Sequence, residues 1–401
     1  MDERALTETL RHAAATGSRE LDRICETAAK DLIAAGVEPP FRVESADFAT
    51  DPFLICADRY WRLRFLDRPT VDTAVRCRQW MTRHVDPGHH DAVEQKWALG
   101  YAFVTRDSVE SAGELTEAVA AILSEHRGDA GIAYFATLYH AGKLRANFVF
   151  DDLRTFLDSS PLALACDQHR EDPLFVALEA FAAFGSRVVR AEHARTLLDR
   201  AWDSPGRGYA VIDLCLHALA ACPPFDGQPE LLRSRAEQAV AAHPTSAIFR
   251  FRLAAGQRMC QDFDAALDSI DTALRLLPAI GSRSSHNEFQ QQFLVERATI
   301  QQGQQLATWT AEQKRQWTRQ QESTDDLRRT LQTSTVRAIE LVTVFTAAIA
   351  FAVGSLQVTL AGTLSVGDRV LIIATFGTGL LLFALLVIGG TWLITRRRRR
   401  R

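Results

Sequence analysis

From Glu3 to about Leu277, apolar residues recur every three or four positions in short runs separated by Gly, Pro, Asp and Ser, and continuous β-branched stretches are few. That spacing puts the apolar side chains on one face of a 3.6-residue helix, so the pattern predicts an all-α body. Helices are expected near residues 3–15, 18–36, 51–66, 70–84, 90–105, 112–126, 130–141 and 149–158. Pro39 to Phe53 reads as a loop, because one extended segment cannot make a sheet. After a turn at Gly281 to Ser285, the stretch Asn287 to Thr335 is glutamine-rich, lacks proline and has the single glycine Gly303. It predicts one long helical stalk, on the order of 70 Å if fully helical. Leu306, Trp309, Gln313, Trp317, Gln320, Thr324, Leu327 and Leu331 follow each other at spacings of three and four and suggest a coiled-coil seam. Disorder is the competing reading of so polar a segment.

The pattern changes once more at Leu341. Leu341 to Leu360 and Val370 to about Thr395 are free of charged residues, with a short break around Gly362 to Asp368 between them. At about 1.5 Å per residue, each run can cross a hydrocarbon core of roughly 30 Å. A two-span transmembrane hairpin is expected, closed by Arg396, Arg397, Arg398, Arg399, Arg400 and Arg401. With Trp392, these arginines are expected to anchor the chain to anionic headgroups. Arg328, Arg329 and Arg337 precede the first run, so basic flanks place both termini on the cytoplasmic side. In the first run Glu340, Thr343, Thr346, Ala350, Gly354 and Gln357 form one helical stripe. Such a stripe either packs against the second span through small residues or lines a water-filled path between several chains.

A second regularity lies after Pro205. Leu219, Ala220, Ala239, Val240 and Pro244 recur 34 positions later as Leu253, Ala254, Ala273, Leu274 and Pro278. Small residues let antiparallel helices approach closely, and proline ends a helix. With the run Gln261 to Leu267, this resembles the tetratricopeptide repeat. Pro223 and Pro224 interrupt the first helix of the earlier unit, where the family has an aromatic residue. The resemblance implies a helical solenoid whose groove binds a peptide or partner helix. Carried over residue by residue, the groove positions are His217 in the earlier unit and Phe251, Arg252, Arg258 and Met259 in the later one. The expected organisation is a divergent helical-repeat region over 1–205, TPR-like repeats over 206–285, the stalk over 286–336 and the hairpin with its polyarginine tail over 337–401.

Charge sharpens this division. Residues 337–401 carry a balance of +6 against a whole-chain charge of −3, which leaves residues 1–336 at about −9. An acidic body argues against a nucleic-acid partner. Seven cysteines without close pairing suggest a reducing compartment, and the opening Asp2, Glu3, Arg4 lacks the basic start and apolar core of a secretory signal.

Candidate chemistry is sparse. Cys166 and His169 have ligand-like spacing but no second pair, His89 and His90 follow a Pro-Gly turn as solvated bystanders, and Gly377-Thr378-Gly379 falls inside an apolar run. No catalytic residue, metal or cofactor is expected. The chain reads as a non-enzymatic, membrane-anchored scaffold that binds an unidentified protein or peptide, with a homo-oligomer as a possible further association. The alternatives are a regulated pore-forming effector and an unrecognised enzyme in the N-terminal half.

Overall fold

The computed structural model describes the backbone of residues 3–186, 188–277, 283–360 and 365–398. These residues form α1 (Glu3–Ala13), α2 (Ser18–Ala34), α3 (Pro52–Asp67), α4 (Val71–His84), α5 (His90–Val104), α6 (Ala112–Glu125), α7 (Ala130–Ala146), α8 (Phe150–Ser159) and α9 (Pro161–Leu164). There follow α10 (Pro173–Gly185), α11 (Ala191–Trp202), α12 (Tyr209–Ala221), α13 (Gln228–Ala242), α14 (Ala247–Met259), α15 (Phe263–Leu276), α16 (Arg283–Leu360) and α17 (Val366–Arg398). Among the described residues the only β pairing is an isolated bridge between Val43 and Val85. The fold is all-α, as the three-and-four spacing predicts.

Local chemistry sets the helix starts. Asp51, Thr70, Ser111, Asp129, Asp172 and Ser246 each accept a backbone N–H from the first turn of the helix they precede. Each cap satisfies a donor that has no partner inside the helix. Ser111 and Glu114 do so reciprocally. One end departs from expectation: α7 continues through Gly142 and Lys143 to Ala146. Gly142 is not a breaker here, because a Cβ on it would stand 2.6 Å from that of Ala102, so the missing side chain lets α5 and α7 touch.

The chain divides into residues 1–305 and residues 306–401. In the first unit α7 is the centre: Ile132 to Leu144 are all buried, packed by α4, α5 and α8. Large aromatics fill the space around it. Trp80 lies between Trp61 and Trp97 at 6.2 and 6.0 Å, and Phe65 meets Tyr101 and Tyr139 at 4.7 Å each. The loop before α3 is drawn into this core, where Phe41 and Val43 are buried and the Trp80 indole donates to the Pro39 carbonyl at 2.8 Å.

From α10 onward, packing is of neighbour on neighbour and of alternate on alternate: α10 meets α11 and α12, and α14 meets α12, α13 and α15. The helices of successive pairs are not evenly spaced. Tyr209 and Ala247, which open α12 and α14, lie 38 positions apart, whereas Gln228 and Phe263, which open α13 and α15, lie 35 apart. Pro223 and Pro224 account for the difference, since α12 ends at Ala221 and the prolines occupy a longer link to α13 instead of interrupting a helix. Gly256 allows α14 to seat on α13, for a Cβ there would come within 2.8 Å of the Arg233 backbone nitrogen. Pro278 lies outside the described residues.

The opening turns of α16 belong to this same packing. Phe293 and Ile300 are buried with Ala254, Ala266, Ile270 and Ala273, and Phe251 stacks on Phe293 at 4.9 Å. Arg258 bonds Glu296 at 2.6 Å, and Arg297 bonds Asp271 at 2.7 Å.

In the second unit, α16 continues without a break to Leu360, and Leu306, Trp309, Trp317, Leu327 and Leu331 are all exposed along it. Its last turns pack antiparallel on α17. A Cβ on Gly354 would meet the Phe376 ring at 2.7 Å, and one on Gly377 would meet the Phe351 ring at 2.8 Å. Each helix thus offers a phenylalanine to the other's glycine, the close approach that small residues permit.

Candidate functional site

The five groove positions do not form one open strip. Phe251 and Arg258 are engaged by α16 through Phe293 and Glu296. Met259 is partly buried against the main core. Arg252 and His217 instead meet two residues that the repeat pattern did not single out, Arg145 at the end of α7 and Asp213 on α12. Arg252 Nε lies 3.4 Å from Asp213 Oδ1. Arg145 is deeply surrounded, its Nε has no hydrogen-bond partner, and burial pushes its pKa down, with Asp213 opposing and Arg252 reinforcing the shift. Asp213 thus bonds Arg252 and also acts by its charge on Arg145. Burial, with the charges of Arg252 and Arg145, also holds the His217 imidazole well below its ordinary value, so it is neutral at pH 7.

Phe148 completes this cluster. Its backbone is left-handed at φ 56°, a region that aromatic residues rarely occupy, and its ring is 49% exposed. It meets His217 edge-on at 5.6 Å, and Phe181 meets the same imidazole at 5.3 Å. The result is an exposed aromatic held in a strained conformation beside an undercompensated arginine. Phe148 follows the end of α7 among Asn147 and Val149, where nothing in the local pattern marks it. The cluster gathers residues over a hundred positions apart in the chain, which is why linear spacing missed it.

Arg154 and Arg250 also carry a buried Nε without a hydrogen-bond partner, whereas the buried charges around Glu110 are satisfied within the fold. Lys143 is fully buried, yet its ammonium donates to the carbonyls of Pro69 and Ser108 and to Glu110 at 3.0 Å. Glu110 also accepts the Val71 backbone N–H at 2.8 Å, and its pKa falls to about 2 because His140 and Lys143 together outweigh its burial. This knot ties two loops to α7. The Cys166 thiol donates to the Thr137 hydroxyl at 3.3 Å while the His169 ring stacks on Tyr134 at 4.8 Å, so each has a packing partner. His90 is not a solvated bystander: its Nε2 lies 2.9 Å from the Val85 carbonyl.

At the other end of the chain, Arg337–Val358 and Val366–Leu386 have mean hydropathies of 2.0 and 2.1 and are each long enough to cross a membrane. Glu340, Thr343 and Gly354 lie on the partly covered side of the first of these, whereas Thr346, Ala350 and Gln357 are exposed. Within the stripe the Thr343 and Thr346 hydroxyls donate to the carbonyls of Ile339 and Val342, four residues back, at 2.8 Å each. Gln357 stands one turn from the end of α16 at Leu360. The side chains of Trp392 and Arg396 to Arg398, and all of Arg399 to Arg401, lie outside the described residues.

Comparison of the chain with protein-family models, with curated proteins and with solved structures finds no match in any of the three.

Proposed function

We propose that this protein is a membrane-anchored, non-catalytic interaction module. On this reading a TPR-like helical solenoid captures a partner protein on the cytoplasmic side, and the C-terminal hairpin holds it at an anionic bilayer. The observation that carries the reading is the cluster of Arg145, Phe148, Asp213, His217 and Arg252. Exposed aromatics and arginines are the residue types that dominate protein interfaces. A strained, half-exposed Phe148 beside an arginine lacking a full complement of partners is better explained by binding than by stability. Alternate-helix packing from α10 to α16 supports the repeat reading, and two apolar helices with basic flanks support the anchor.

In-cell cross-linking of the intact protein tests it. The variant Phe148→Ala, at the half-exposed ring, is expected to lose the wild-type cross-linked species while keeping its membrane association and, to within about 1 kcal/mol, its thermal stability. Unchanged cross-linking would remove the cluster from the interface.

A pore-forming reading draws on the exposed edge of Thr346, Ala350 and Gln357. Two features weigh against it. The threonine hydroxyls are satisfied within their own helix, and Gln357 is close enough to the helix end to reach the headgroup region. Dye release from liposomes separates the readings: a scaffold gives none, and a pore gives leakage that Gln357→Leu reduces.

A further inference from the structure

The stretch of α16 between the packed body and the first apolar run has no covering element in its own unit. Leu306, Trp317, Leu327 and Leu331 are 59–65% exposed there. With Trp317 and Leu331 placed at heptad position a, Leu306 and Leu327 fall at d, and the charges then sort themselves. Of the nine charged residues between Leu306 and Leu331, seven occupy the outer positions b, c and f, and only Lys314 and Arg328 lie beside the seam, at e. None is at a, d or g. A solvated helix has no reason to keep one face free of charge over so many turns, whereas a helix that packs against another does.

Followed into the apolar run, the same register selects Ala338, Leu341, Phe345 and Ala348, all of them exposed. The side on which Gly354 meets Phe376, and which also carries Glu340, Thr343 and Ala347, lies roughly 150° round the helix at 100° per residue. The seam and the hairpin contact thus use different faces and do not compete.

We propose that residues 306–338 form a parallel coiled coil with further copies of this chain. The occupant is a second copy because chains inserted in one bilayer present identical seams side by side, in the same direction and at the same height above the surface. That argument rests on the membrane reading above. The bilayer raises the effective concentration, so a seam with few large apolar residues suffices. Thr310, Gln313, Gln320, Thr324 and Ser334 at core positions weaken the contact but select its register and a parallel pairing. Trp309, at g, faces Lys314 at e of the neighbouring copy, a pairing that places an ammonium over an indole.

Cysteine scanning of the intact protein in liposomes tests this, in a Cys260→Ser background because Cys260 is the one cysteine that is not buried. Trp317→Cys, Thr324→Cys and Leu331→Cys are expected to form interchain disulfides at least about tenfold faster than Arg315→Cys, Glu322→Cys and Arg329→Cys, since bonding needs Cα atoms within roughly 7 Å. Adding Leu327→Glu should abolish the Thr324→Cys product. Equal rates at the two sets, or maxima at the outer set, would overturn the proposal. Alkaline extraction of the same samples reads the anchor separately: retention in the pellet without a seven-residue period rejects the coiled coil alone, and loss from the pellet rejects the membrane reading.

Discussion

Lys143 and Arg145 stand two residues apart on one helix and meet opposite fates. The lysine is enclosed but has three oxygen acceptors, so its charge is supported by the fold. The arginine lacks that support at its Nε, and Asp213, whose charge favours its ionised form, is bonded to Arg252. The first arrangement is closed within the fold and the second is the one we propose meets a partner, yet both residues look alike in the sequence. Glu94 shows how burial alone can act on a charge. Although Arg78 Nε lies 3.0 Å away, desolvation raises this carboxyl to about 7 from an ordinary 4.5. The folded protein therefore holds a proton that the unfolded chain has already released, and stability falls as pH rises from about 4.5 to 7. Glu110 works in the opposite sense, because a depressed carboxyl contributes stability above 4.5 that is lost as pH falls towards 2. Replacing Glu94 by Gln is expected to flatten the pH dependence of chemical denaturation between 5 and 7 by about 1–3 kcal/mol. An unchanged slope would mean that Arg78 keeps the carboxyl ionised throughout.

Among the elements, those with caps and proline starts were legible from the chain, and the early helices agree with the expected spans to within a few residues except at the end of α7. Gly142 explains that exception, since a glycine chosen for close packing and a glycine that stops a helix are the same letter. Pro223 and Pro224 misled in a related way: a 34-residue echo in the sequence does not show that one helix of the pair is offset by 38 and its partner by 35. The role of the opening turns of α16 was not legible at all. Phe293 and Ile300 sit in a glutamine-rich stretch whose polarity suggests solvent, and only the tertiary contact with α14 and α15 reveals two buried positions in it. Phe293→Ala is expected to cost about 3–5 kcal/mol, the usual penalty for emptying a buried aromatic site. Hydrogen exchange should show the loss in α14 and α15, with α2 to α7 unaffected. Uniform deprotection across the body would instead mean that it unfolds as one cooperative unit.

For the whole molecule, composition was the most informative level. The two apolar runs, the basic flanks and the acidic body each follow from counting residues, and the all-helical architecture follows from their spacing. The candidate binding cluster does not, because Arg145, Asp213 and Arg252 are brought together only by packing of alternate helices. The same counting predicts that both ends of the chain lie on one side of the bilayer. Protease added to sealed, inside-out vesicles should remove epitope tags at both ends; protection of one tag alone would exclude a two-span hairpin, and protection of both would reverse its orientation. The join between body and hairpin has a further consequence. The apolar residues Ala254, Ile270 and Ala273 are covered by Phe293 and Ile300, at the beginning of the very helix that leads to the apolar hairpin. A protease that cuts beyond Gln305 would shed a body with its final face still sealed, whereas a cut before Arg283 would leave Ala254, Ile270 and Ala273 bare and the released fragment prone to aggregate. The place of cleavage would decide whether the severed part persists as a soluble molecule or is cleared.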